Sequence, residues 1–278
     1  MSATQQQEEY ARIVTNANQM EELLSLVRLH GTDTDGSKKS LVKDTVLTFE
    51  DGHVDVKLFD PMASVWGHVR GPFDGVRGDG QLVIGSIEDF LTYLSRFGEH
   101  TQVTVEEREG SAYVTFDDED RKSGAYPADD ITHIDSIQNV DQLPFSYDPE
   151  EGEPSEGNVP MAGDVGVSLD TWFRCDVAEI QDVLDDGDTT DVREYPIMVD
   201  DGSVQIRVGD HSGWIETDFV ADVGEGEAAS VYAYGMDNTF SNLEGQVTLF
   251  LSDDNPMWIH CPDHNGYTVD YMVAEDTD

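Results

Sequence analysis

The densest grouping of reactive residue types in the chain is His260-Cys261-Pro262-Asp263-His264. Imidazole, thiolate and carboxylate are zinc-ligand types, but a structural zinc site pairs two such clusters, and no second one occurs. The stretch reads instead as the turn of a hairpin, and no metal is expected. Asp185 to Asp191 offers oxygen ligands without the spacing, glycine and terminal glutamate of a calcium loop, and reads as a helix end. No phosphate loop or nucleophile elbow appears, and no serine or cysteine stands with a plausible histidine partner. With 59 Asp and Glu in 278 residues, carboxylate pairs occur everywhere and none stands out as a general acid and base. Neither an enzyme nor a cofactor is expected.

Against those acids stand only 15 Lys and Arg, a formal net charge of −44. The 38% hydrophobic and 9% aromatic residues are enough to bury a core, so the charge describes an acidic surface rather than a disordered chain. Such a surface suits molar salt, where screening shortens to about 3 Å, and the expected location is a high-salt cytoplasm. Cys175 and Cys261 are too few for a disulfide framework and read as reduced, buried thiols. No apolar run is long enough to span a membrane, and the polar, acidic N-terminus does not resemble a secretion signal.

The elements that position these residues come in two copies. Thr45 to Asp60 lies on Tyr195 to Asp210 without a gap, both alternating apolar and polar residues about an acidic-glycine turn, Asp51-Gly52 and Asp201-Gly202. Each copy predicts a β-hairpin. Upstream, Ile13-Val14 and Val167 to Leu169 each predict a short strand followed by a helix. The first helix carries a capping box at Asn18 and Glu21, a stripe of Met20, Leu23, Leu24 and Val27, and a stop at Gly31. The second carries Phe173, Val177, Ile180 and Leu184. Downstream, Ser86 caps a helix with Ile87, Phe90, Leu91 and Leu94, ending at Gly98 before Gln102-Val-Thr-Val105. The second half repeats this with a shorter helix before Gln246-Val-Thr-Leu249. The fold class is α+β: two repeated domains at 8–130 and 161–275, each with helices on one face of antiparallel sheet, joined by an acidic linker at 131–160.

Two such units in one chain, with a long linker, resemble the DNA sliding clamps of the proliferating-cell-nuclear-antigen family. Val140-Asp-Gln-Leu-Pro-Phe-Ser146 is similar to that family's interdomain connecting loop. Asn255 to His260 with Thr268 to Ala274 looks like its last strand pair, Glu275 replacing a proline. Asp60 to Gly67 looks like its Asp-Pro turn. The resemblance implies a head-to-tail homotrimeric ring that encircles double-stranded DNA topologically and binds peptides of DNA polymerase, clamp loader and nuclease.

It also implies the sites. The partner groove would use Met62, Trp66, Leu143, Phe145, Pro256 and Ala274. The trimer contact would pair a strand near Ser111 to Phe116 with one near Gly213 to Phe219, through Tyr113, Val114, Trp214 and Ile215. The DNA-facing cations would be Arg28, Arg96 and Arg174 on the helices, with Lys38 and Lys39 in an extra loop at Gly31 to Ser40. Two bland readings stay open: solvated helix surface for the arginines, and packing of Leu143 and Phe145 on their own domain. The alternative function is a clamp-like decoy, a DNA mimic that engages replication proteins without loading.

Overall fold

A computed structural model describes residues 12–32, 38–50, 52–60, 65–77, 79–98, 101–108, 111–118, 122–128, 169–190, 194–210, 213–219, 222–232, 235–253 and 255–275. The first half runs β1 (Arg12–Asn16), α1 (Ala17–Arg28), β2 (His30–Thr32), β3 (Lys38–Ser40), β4 (Thr45–Glu50), β5 (His53–Phe59), β6 (Val65–Pro72), β7 (Val76–Arg77), β8 (Gly80–Ile84), α2 (Ile87–Leu94), β9 (Gln102–Arg108), β10 (Ser111–Asp118) and β11 (Lys122–Pro127). The second runs β12 (Thr171–Asp176), α3 (Val177–Thr190), β13 (Tyr195–Asp200), β14 (Ser203–Asp210), β15 (Gly213–Phe219), β16 (Asp222–Val223), β17 (Ala228–Tyr232), α4 (Met236–Phe240), β18 (Gln246–Leu251), β19 (Met257–His264) and β20 (Tyr267–Val273).

Strand order repeats between the halves. The first half holds β11-β10-β9-β1-β7 and β8-β4-β5-β6; the second holds β20-β19-β18-β12-β16 and β17-β13-β14-β15. The last strand of the second half, β20, pairs antiparallel with β6 of the first, Asp270 opposite His68 and Met272 opposite Trp66. That pairing fuses two of the four layers into one nine-stranded sheet across both halves. The repeated hairpins are β4-β5 and β13-β14. Gly52 at φ 84°, and Asp201 and Gly202 at φ 45° and 74°, supply the left-handed conformations that tight hairpin turns require.

The helices cover one face. Met20, Leu23, Leu24 and Val27 of α1, Ile87, Phe90 and Leu94 of α2, and Val177, Ile180 and Leu184 of α3 are buried in the core with the inward rows of the sheets. Several boundaries differ from the sequence expectation. The cap of α1 is Asn16, whose side chain accepts from the Gln19 amide at 2.9 Å, so no box forms at Asn18 and Glu21. The helix ends at Leu29, left-handed at φ 48°, and Gly31 belongs to β2. Lys38 and Lys39 sit on β3, paired with Thr32 and Gly31, rather than in an open loop.

The second-half strand begins at Thr171, past Leu169, with Val167 and Ser168 outside the described residues. Phe173 and Arg174 therefore belong to β12 rather than to a helix. Asp176 then starts α3 through a reciprocal cap, accepting from the Ala178 amide at 3.0 Å while its own amide donates to Glu179 at 3.2 Å. His260 to His264 lie within β19, and the turn is Asn265-Gly266. Strand β10 is interior, bonded to both β9 and β11, so Tyr113 and Val114 are not on an edge; Val114 is fully buried. Among the described residues β11 and β15 are edges of their sheets, as β7, β8, β16 and β17 are at the opposite ends.

Candidate functional site

On the sheet face away from the helices, strand register lines up two rows across the junction of the halves. One is apolar: Trp172, Phe250, Trp258, Met272, Trp66 and Phe59 follow one another on β12, β18, β19, β20, β6 and β5. Two residues along the same strands lies a polar row of Arg174, Thr248, His260, Asp270, His68 and Lys57. Period-two alternation puts both rows on one face and sends Phe173, Cys175, Ile259, Val69 and Leu58 into the core. Gly67 lies between the rows on the core side, where a Cβ would sit 2.7 Å from the Tyr271 ring, so this close approach of β6 to β20 needs glycine.

The centre of the polar row, His260, Asp270 and His68, is tied into a network with Trp258, Arg70 and Asp55. Asp270, 1% exposed, accepts from His260 Nδ1 at 2.6 Å and Trp258 Nε1 at 3.3 Å through one oxygen, and from Arg70 at 3.0 Å through the other. Arg70 also meets His68 Nδ1 at 3.0 Å, and His68 Nε2 meets Asp55 at 2.7 Å. A carboxylate this buried persists because every side of it receives a donor. Burial pushes the Asp55 carboxyl up, but the hydrogen bond and charge of His68, with Lys57 and Arg70, outweigh it and leave the group below its ordinary value.

Of the expected groove residues, the structure brings three together. Val65, Val273 and Met257 form a row at one end of the junction, with Trp66 beside it, Pro256 just before Met257 and Ala274 just after Val273. Trp66 is half-buried, its ring centroid 5.9 Å from that of Phe59. It packs with Trp172 against a small buried cluster of Leu169, Phe250, Trp258 and Met272. Met62, Leu143 and Phe145 lie outside the described residues. Trp214 and Ile215 are exposed on the edge strand β15, with the Arg207 guanidinium 4.5 Å from the Trp214 ring centre.

The cations fare differently. Arg174 projects from the sheet face opposite the helices, its Nε donating to Thr248 Oγ1 at 3.2 Å, and so does not stand on the helix face as expected. Arg28 is half-buried in the last turn of α1. Desolvation lowers its pKa against the attraction of Glu21 and Glu88, and its Nε is buried without a hydrogen-bond partner among the described residues. Arg96 is exposed beyond α2, 5.8 Å from the Tyr93 ring centre. Among the described residues Arg28 is the single base on a helix, while Glu21, Glu88, Asp89, Glu179, Asp182 and Asp185 are all exposed.

On the helix side the second half caps the first. Asn238 donates to the carbonyl of Leu29 at 2.9 Å, Ser241 and Asn242 to that of His30 at 2.7 and 3.0 Å, and Tyr271 to that of Leu26 at 2.8 Å, satisfying the open end of α1. Asn265 donates to Glu22 at 2.5 Å, across a cleft of about 460 Å³ that Gln181, Glu244 and His264 also line. His260 and Cys261, next to each other on β19, point to opposite faces. Cys261 donates to the Glu244 carbonyl at 3.8 Å, and burial pushes its thiol up to about 11 and that of Cys175 to about 12, far from thiolate chemistry. No group of three or more metal-ligand residues forms among the described residues, and no helix there is long and apolar enough to cross a membrane.

Neither a protein-family model nor a curated protein matches the sequence. Solved structures match it over nearly its whole length. The structure of the C-terminal region of FEN-1 bound to A. fulgidus PCNA aligns with a TM-score of 0.69 at 12% identity, over 96% of this chain and 99% of that one. PCNA from Thermococcus kodakaraensis gives 0.67 at 12%, over 96% and 100%. The PCNA2–PCNA3 complex from Sulfolobus tokodaii gives 0.66 at 12%, over 96% and 100%. The likeness is one of fold: repeated helix-on-sheet halves joined edge to edge.

Proposed function

We propose that this chain, built on the fold of a sliding-clamp subunit, closes head to tail with further copies around duplex DNA. In that role it docks replication and repair proteins through short peptide motifs and catalyses nothing itself. The observation that carries the reading is a pair of unmatched edges. Within one copy β20 is bonded to β6. The first-half equivalent of β20 is β11, the second-half equivalent of β6 is β15, and among the described residues each is an edge. The contact that joins halves thus leaves its two counterparts open to join copies, a heterologous contact of the kind that closes into rings. A homotrimer is the closure we propose, with Trp214 and Ile215 meeting β11 of the next copy rather than Tyr113 and Val114.

Residues 131–160 would connect domains 8–130 and 161–275, bringing Leu143 and Phe145 over Trp66, Pro256 and Ala274, with Met62 completing the groove. The FEN-1 segment bound to a similar clamp supports peptide docking, and the complex of two clamp subunits supports assembly. Arg28, Arg96 and the β3 lysines Lys38 and Lys39 are the cations left to meet DNA. Beside so many acids they make topology, rather than counterion release, the means of holding on.

Light scattering in molar potassium chloride should give a mass about three times that of one chain. The assembly should stay on nicked circular DNA and slip off when the circle is cut. Phe145→Ala should weaken a polymerase-tail peptide about thirtyfold with little change in melting temperature. A monomer at every salt concentration overturns the ring. A closed ring that binds replication proteins but does not stay on circles returns the decoy reading.

A further inference from the structure

The repeat lets each rung of the junction within a copy be transposed onto the junction between copies. Hairpin equivalence sets Asp55 on Gln205 and Lys57 on Arg207, so their cross-strand partners Arg70 and His68 map to Asp218 and Glu216, and Trp66 maps to Trp214. The repeated Gln-Val-Thr strands set Thr104 on Thr248. Their partners then map Thr115 to His260 and Ala125 to Asp270, with Ser123 on Thr268, Tyr126 on Tyr271 and Pro127 on Met272.

In that register the rung of Trp66 on Met272 survives as Trp214 on Pro127, and the rung of Gly67 on Tyr271 becomes the apolar pair Ile215 on Tyr126, a side chain standing where the junction within a copy has glycine. The polar ones do not. Where Asp270 meets His68 and His260 within a copy, Ala125 would meet Glu216 with Thr115 behind it. Where Thr268 meets Arg70, Ser123 would meet Asp218, with the exposed Asp117 on the far side of Ser123.

Resting on the ring reading, we infer that the junction between copies pairs β15 with β11 in this register and is a salt-governed latch: apolar rungs with the acids Glu216, Asp218 and Asp117, against the one cation Arg207 opposite Glu216, in place of the network that locks the junction within a copy. Salt screens Glu216 and Asp218 from Asp117 while leaving the apolar contacts in place. As salt falls, this junction lets go while the one between the halves holds.

The test is the salt concentration at which assembled chain dissociates, followed by light scattering from molar potassium chloride down to about 0.2 M. Glu216→Gln with Asp218→Asn removes exposed charge without changing shape, and should move the midpoint to lower salt by about twofold or more. Transplanting the lock, Ala125→Asp with Glu216→His and Asp218→Arg, should tighten assembly at low salt by about tenfold. Wild type that assembles, with midpoints unchanged in the neutral variant, overturns the latch and leaves the ring standing. If only the transplant fails, for instance by misfolding, the neutral variant still decides. Wild type that is monomeric at every salt overturns the ring, and the latch with it.

Discussion

Asp270 gathers His260, Trp258 and Arg70 on two oxygens at 2% side-chain exposure. Asp270→Asn keeps its shape but leaves the Arg70 charge facing an amide. A loss of about 2–4 kcal/mol is expected, seen as a melting temperature several degrees lower. An unchanged melting temperature would show that the network carries no stability. Asp55 gives a pH signature. Its carboxyl is held below the ordinary 3.8, so its contribution is present above that value and is lost as pH falls from there through the lower folded-state value. The stability gap between wild type and Asp55→Asn, measured by urea unfolding, should therefore shrink on acidification below about 3.8. At the thiols, burial predicts that Cys175 and Cys261 resist alkylation at pH 8 in the native state and react on unfolding. Fast native labelling would contradict their burial.

The elements were legible where their signal is local. Acidic-glycine turns announced both hairpins, and Ser86 announced α2, whose Asp89 amide it caps at 3.2 Å. The extent of β12 is masked in the sequence because Phe173, Val177, Ile180 and Leu184 satisfy helical spacing although the first of them is on a strand. The stronger local signal, Asp176 with Glu179 three residues on, marks the true helix start. That shift of boundary is what put Arg174 on the wrong face. The polar row was not legible, because which of His68, Arg70, His260 and Asp270 face one another depends on pairing strands some two hundred residues apart. The alternation in Val65 to Arg70 was its one local trace. The caps between halves predict that Asn238→Leu, which removes the shorter of two donors to the Leu29 carbonyl and leaves the Leu41 amide at 3.3 Å, costs about 1 kcal/mol in a cooperative melt. A variant as stable as wild type would mean that the end of α1 finds another partner.

For the whole molecule the acid count and the proposed ring pull in different directions. The exposed face of the helices repels phosphate, yet a closed ring needs no affinity to stay on a circle. Raising salt should therefore leave retention on circular DNA unchanged or improved, whereas a protein bound through its cations loses hold steeply. A fall in retention between about 1 M and 3 M potassium chloride would show that Arg28, Arg96, Lys38 and Lys39 grip phosphate directly.

The pairing of β20 with β6 fixes the angle at which one half of the chain leaves the other. In a head-to-tail assembly that reuses the same pairing, each copy carries its own protractor, and the number of halves that complete a turn is set before a second copy is met. A slightly different angle would turn the same two edges from a ring into an open spiral with no last member. Gly67 is where that angle is most exposed to change, since a side chain there must push β6 and β20 apart.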